Sequence, residues 1–194
     1  MSKVVHEFTA VVPEWKPHVT PVDITQASAT QLDALKVTPS NRQVSDYLLV
    51  LAHDAETLKP RSPLFNGIMY NRGGLSRAER ELGAVGASIV NRCIYCAAVH
   101  ASRYNQLMRD ETAIARIFAE GLDAELDPRS SAILRFAARL SECPPAATAD
   151  DLSALRQAGL DDEEILDLVL SAALFGWANR LMHTLGEPVE APAV

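Results

Sequence analysis

Two cysteines three residues apart, with a histidine four residues beyond the second, form the stretch Asn91-Arg92-Cys93-Ile94-Tyr95-Cys96-Ala97-Ala98-Val99-His100. Cysteines at i and i+3 in a first helical turn have Cα atoms close enough for a disulfide. A thiolate at a helix N-terminus is stabilised by unpaired backbone N–H groups and by the macrodipole. His100 lies about 400° around the helix from Cys96, on the same face, where it could exchange a proton with that sulfur. The pattern describes a redox-active dithiol with an acid–base partner. Zinc is the competing chemistry, because Cys93, Cys96, His100 and one carboxylate would complete four ligands. Structural zinc sites usually show a second ligand pair at recognisable spacing, and none follows here. Cys143, isolated before Pro144-Pro145, reads as a small buried or half-buried residue.

The elements that hold this stretch are helical. Ser76-Arg77-Ala78-Glu79 is a capping box that opens a helix burying Leu82, Val85, Gly86 and Ile89 on one face. Asn91-Arg92 breaks that helix, and a new one starts at Cys93 and passes Leu107. Glu81 would sit about 120° off the cysteine face if one helix ran from 81 to 96. With the break it belongs to the preceding helix, which can fold back toward the dithiol. By spacing alone Glu81 reads as a solvated helix charge.

Further helices follow the same signals. Ser40 and Gln43 have capping-box spacing ahead of Tyr47 and Leu48, and Ser62-Pro63 reads as an N-cap with proline in the first turn. Glu111 to Glu120 stops at Gly121, Asp127-Pro128 opens a helix closed by Pro144-Pro145, and Thr148 with Asp151 opens a short one ending at Gly159. Asp161 to Glu164 places acid in the first turn of a last helix running to about Leu185. Leu75 to Asn91-Arg92 and Leu160 to Asn179-Arg180 echo each other faintly, each running from an acidic helix start to Asn-Arg.

Before Ser28 the chain differs. Pro13, Pro17 and Pro21 interrupt a valine-rich segment, which reads as an extended arm. The expected organisation is an all-α fold: an arm at 1–27, one helical domain at 28–187 and a tail at 188–194. The arm's Phe8, Val12 and Trp15 are too apolar for a free segment. They pack on their own subunit or cross to a neighbour, and the expectation is a homo-oligomer, at least a dimer.

Composition bounds the function. The 194 residues are 48% apolar and carry a net charge of −7, which supports a packed core and argues against a large nucleic-acid footprint or a polybasic membrane patch. The nearly uninterrupted apolar run Leu168 to Ala178 falls short of the roughly 20 residues that span a bilayer. The N-terminus shows no secretory h-region, and three cysteines are too few for a disulfide scaffold. These features point to a cytoplasmic protein without nucleic-acid or membrane partners.

Glu81, then Cys93-x-x-Cys96 twelve residues later, then His100 resembles the pattern of the alkylhydroperoxidase D / carboxymuconolactone decarboxylase family, in its peroxidase-related branch. The specific motif covers about residues 75–104, with looser similarity from about 46 to 186. The resemblance implies an all-helical fold and a cysteine-based peroxidase that reduces organic hydroperoxides or hydrogen peroxide without a cofactor. It implies Cys96 as the peroxidatic sulfur, Cys93 as the resolving one, and Glu81 with His100 as a proton relay. It also implies an external dithiol reductant of lipoyl or thioredoxin type, and a homo-oligomer. The best-studied branch carries a histidine immediately before the second cysteine. Tyr95 stands there in this chain, and a phenol of pKa about 10 is no base at pH 7. Two other functions compete: a lactone-processing lyase of the decarboxylase type, which needs no vicinal dithiol, and a non-enzymatic redox-sensing or structural oligomer.

Overall fold

A computed structural model describes residues 3–36 and 44–190. The helices are α1 (Ala29–Ala34), α2 (Asp46–Leu51), α3 (Ala55–Tyr70), α4 (Arg77–Val90), α5 (Ile94–Met108), α6 (Thr112–Glu120), α7 (Pro128–Ser141), α8 (Ala149–Gln157) and α9 (Asp162–Leu185). Two short strands, β1 (Glu14–Pro17) and β2 (Gly186–Val189), pair antiparallel with Trp15 opposite Pro188. The fold is mostly helical, as expected.

Helix α4 is the central element, with every residue from Arg80 to Ser88 buried. It packs against α5, α7 and α9. Two glycines permit the close approach: a Cβ on Gly83 would meet Leu168 Cδ1 at 2.8 Å, and one on Gly86 would meet the Leu134 carbonyl at 3.0 Å. The Arg80 guanidinium is fully buried and bonds Asp167 of α9 and the carbonyls of Asn71 and Gly73. A buried cation is tolerable only when paired in this way.

The sequence echo has a spatial counterpart. Glu79 and Glu164, the capping-box acids of α4 and α9, are bridged by Arg129. At the other end of the same two helices, Asn91 Nδ2 donates to Asn179 Oδ1 at 3.2 Å. The echoed residues meet at both ends, so α4 and α9 lie side by side and run parallel.

Several expectations need correction. Ser62-Pro63 does not start a helix; α3 runs through both Pro60 and Pro63. The prolines lie on the exposed face, where water can satisfy the carbonyls they leave unpaired, while Leu58, Ser62 and Met69 face inward. The cap expected at Ser40–Gln43 lies outside the described residues, and α2 is capped instead by Ser45. Cys143 is exposed, because residues 142–145 leave the end of α7 on the surface. Apart from these, Pro188 and Val189 of β2 pair with Trp15 and Glu14 of the arm. By length and composition α9 could cross a membrane, but half of its most apolar window is buried in the molecule, the pattern of a core helix.

Candidate active site

The end of α4 places the dithiol. Arg92 adopts a left-handed conformation with φ 52°, and Arg92 N–H donates to the Ile89 carbonyl while Cys93 N–H donates to that of Ser88. This is a Schellman closure, which reverses the chain and leaves Cys93 as the N-cap of α5. Cys93 provides no side-chain oxygen to the first turn, so sulfur occupies the place of the usual capping hydroxyl. Cys96 follows at the third helical position.

Both thiols are buried, at 3% and 5% exposure, and both are free. Their environments push them apart. The Cys96 thiol donates to Cys93, and that contact, helped by the Cys96 N–H and the Asn179 side chain, holds Cys93 below its ordinary pKa against the opposing effect of burial. Cys96 is held well above its ordinary value by its bond to Cys93 and by burial. The first proton lost from the pair is therefore that of Cys93.

Glu81 is 1% exposed, so the solvated charge expected from spacing is wrong: α4 is covered on this side as well as on its core face. The Glu81 carboxylate accepts from His100 Nδ1 and from the Arg77 guanidinium, whose Nε lies 2.8 Å away. Burial alone would raise the Glu81 pKa, but His100 and Arg77 outweigh it and hold the carboxyl below its ordinary value. An ionised Glu81 makes His100 Nδ1 a donor, leaving Nε2 to exchange protons. The His100 ring packs edge-on against Phe175 at 4.1 Å.

Cys96, Glu81 and His100 line one cavity of about 380 Å³, together with Tyr47, Arg61 and Phe65. Cys93 instead lines a second cavity of about 680 Å³, walled by Val4, Phe8 and Trp15 of the arm and by β2. Tyr95 and Met182 border both, so the dithiol lies in the partition between two spaces. Burial, with the nearby Cys96, Asp46 and Cys93, raises the Tyr95 phenol above its ordinary value, so it offers a hydroxyl and no base.

All four residues singled out from sequence thus surround the partition. Sequence reasoning missed Asn179, fully buried, whose Nδ2 donates to Ser88 Oγ at 3.1 Å and which also reaches both sulfurs. The Asn-Arg echo was its trace. Arg77, four residues before Glu81 and so on the same helical face, was also missed. Among the described residues no group of three or more His, Cys, Asp or Glu side chains gathers as a metal-ligand set.

Residues 55–139 match the carboxymuconolactone decarboxylase family, from the start of α3 nearly to the end of α7. Among curated proteins none matches the sequence significantly. The alkylhydroperoxidase AhpD core of an uncharacterized peroxidase-related protein from Ralstonia eutropha JMP134 is 29% identical, covering 74% of this chain and 75% of its own, with a TM-score of 0.66. An uncharacterized peroxidase-related protein from Silicibacter sp. TM1040 shares the fold at 24% identity, with coverage of 86% and 95% and a TM-score of 0.67. The debrominase Bmp8 shares it at 16% identity, with coverage of 90% and 92% and a TM-score of 0.74.

Proposed function

We propose, with the carboxymuconolactone decarboxylase family domain at residues 55–139 as the premise, that the protein is a thiol peroxidase that reduces organic hydroperoxides through the Cys93/Cys96 pair. The observation that carries this reading is the shared cavity: Cys96 opens onto the same space as a buried Glu81–His100 pair. A lyase has no use for the dithiol behind that space.

The chemistry follows from the order of the pKa values. Cys93 is the more acidic of the two thiols, and in its ionised form it takes the proton that Cys96 carries between the two sulfurs. As Cys96 sulfur attacks the terminal hydroperoxide oxygen, its proton passes to Cys93 and the O–O bond breaks. The departing alkoxide takes a proton from His100, whose positive charge Glu81 stabilises. Cys96 is left as a sulfenic acid. Cys93 sulfur then attacks it, expelling hydroxide that leaves as water and closing the disulfide. An external dithiol, of lipoyl or thioredoxin type, supplies two electrons and two protons to restore the pair.

The same reading includes self-association. Leu166, Leu170 and Trp177 lie exposed on one face of α9, 57%, 40% and 41% accessible, at intervals of four and seven residues that keep them on one stripe. The assay is consumption of cumene hydroperoxide with dihydrolipoamide. Turnover by the native protein and none by Cys96→Ser is the expected result. Equal consumption by both proteins would refute the assignment.

A further inference from the structure

The cavity in front of Cys96 carries a positive charge for which the peroxide chemistry has no use. Arg61, half-buried on α3, stacks its guanidinium 4.6 Å from the Phe65 ring centroid and 5.9 Å from that of Tyr47. Its Nε is buried and has no hydrogen-bond partner. Burial works against its charge, and Tyr47 alone opposes that effect; no carboxylate among the described residues does. Residues 1–2, 37–43 and 191–194 contain no Asp or Glu. Elsewhere the chain balances its sheltered arginines: Arg77 with Glu81, Arg80 with Asp167, Arg129 with Glu79 and Glu164. Arg61 departs from that rule inside the candidate site.

The remaining lining agrees. Among the described residues Glu81 is the one acidic residue on the wall, and its charge is already taken up by His100 and Arg77. Arg103 adds a further cation, besides Arg61 and the Glu81-paired Arg77, at the exposed rim. The rings of Tyr47, Phe65, Tyr70 and Phe175 make the rest of the wall flat and apolar. Tyr47 sits within electrostatic reach of Arg61 and of both thiols, and burial pushes its phenol up to about 12, so it stays neutral between them. A small molecule can therefore touch the cation and the sulfur at once, and about 380 Å³ is within the range of small-molecule pockets.

We infer that this cavity takes an aromatic carboxylic acid bearing the hydroperoxide, with the carboxylate held by Arg61 and the peroxide directed at Cys96. The inference rests on the peroxidase reading for its reacting group and on the wall chemistry for its framework. A guanidinium presents two parallel donors that match a carboxylate, and the aromatic rings beneath it keep the fork in place. Water exclusion by the rings strengthens the pair.

The test uses a matched pair of cumene hydroperoxides, one with a para carboxylate and one with its methyl ester, and non-reactive 4-isopropylbenzoate as a binding probe. A charge-assisted pair of this kind should favour the acid by about 10–100-fold in kcat/KM. Arg61→Gln should bring that ratio to about one, and Arg61→Lys should retain part of it. Calorimetry should show 4-isopropylbenzoate binding at least about 10-fold more weakly to Arg61→Gln than to the native protein. Turnover of both hydroperoxides at equal kcat/KM, with no binding of the benzoate, would overturn the inference and leave the peroxidase reading standing. Arg61-dependent binding of the benzoate without consumption of either hydroperoxide would uphold the acid site and refute the peroxidase reading. Binding that Arg61→Gln leaves unaltered would overturn the inference whatever the turnover.

Discussion

Replacing Glu81 with Gln separates the charge of the relay from its shape. The amide keeps one oxygen for Arg77, whose Nε lies 2.8 Å from the carboxylate and whose Nη1 also holds the Met69 carbonyl at 2.9 Å. Toward His100 it presents an N–H in place of a negative oxygen. His100 Nδ1 must then become the acceptor, moving its proton to Nε2 and removing the partner that stabilised an imidazolium. Because Gln can still bond both neighbours, the fold should lose about 2 kcal/mol, the scale of a charged hydrogen bond, and not the roughly 3–5 kcal/mol of a buried pair cut open. Loss of an assisted proton transfer should lower single-turnover peroxide reduction at pH 7 by about 10²-fold, equivalent to about 2.7 kcal/mol of barrier. Stability should also change its pH dependence. The Glu81 pKa is lowered in the fold, so its stabilisation is complete above the unfolded value of about 4.3 and disappears as pH falls through the lower folded value. Urea midpoints between pH 3 and pH 7 should show that acid-side loss in the native protein, with this component missing in Glu81→Gln. Stopped-flow rates within twofold of native would refute the relay.

Three other outcomes follow from the same geometry. Cys93→Ser should retain one round of peroxide reduction, slowed by loss of the sulfur that takes the Cys96 proton, with dimedone labelling Cys96, whereas labelling of Cys93 in Cys96→Ser at native rate would reverse the two roles. Asn179→Ala removes a donor shared by both sulfurs and orphans Ser88 Oγ; the first thiol pKa, followed by thiolate absorbance near 240 nm, should rise, and an unmoved titration would show that the amide serves packing alone. Leu166→Lys on the outer face of α9 should lower the mass seen by light scattering without lowering the melting temperature, and a native protein already at 21.1 kDa would remove the basis for self-association.

What the sequence made legible were features written within a few residues of each other. Ser76 with Glu79, Asp127-Pro128, Thr148 with Asp151 and Asp161 with Glu164 each name their own helix start, and each is found there. The Asn91-Arg92 break was equally local, because a Schellman turn needs only the end of one helix. Ser62-Pro63 misled because proline on the outer face of a running helix has the same local signature as proline at a start. The burial of Glu81 was invisible for a different reason: its cover comes from His100 and Arg77 together, and no single spacing states that α4 is enclosed on all sides. Asn179 and β2 lie farthest from their partners along the chain. Gly186-Glu187-Pro188-Val189, four residues with a proline, carries no strand signal until Glu14–Pro17 is laid beside it.

That last pairing has a consequence for how the protein is made. The wall of the Cys93 cavity joins residues near 15 to residues near 188, with Trp15 Nε1 anchored on the Met182 carbonyl at 3.2 Å. A chain synthesised from its N-terminus can assemble α4 and α5, and so bring the two thiols together, long before its β2 residues exist. During that interval Cys93 lacks its wall and lies next to a second sulfur. The long loop must close before the enclosure is complete, and closure over so many residues is entropically slow. The shelter of the dithiol is thus a late product of folding, and a nascent or partly unfolded chain is the form most open to oxidation at this pair.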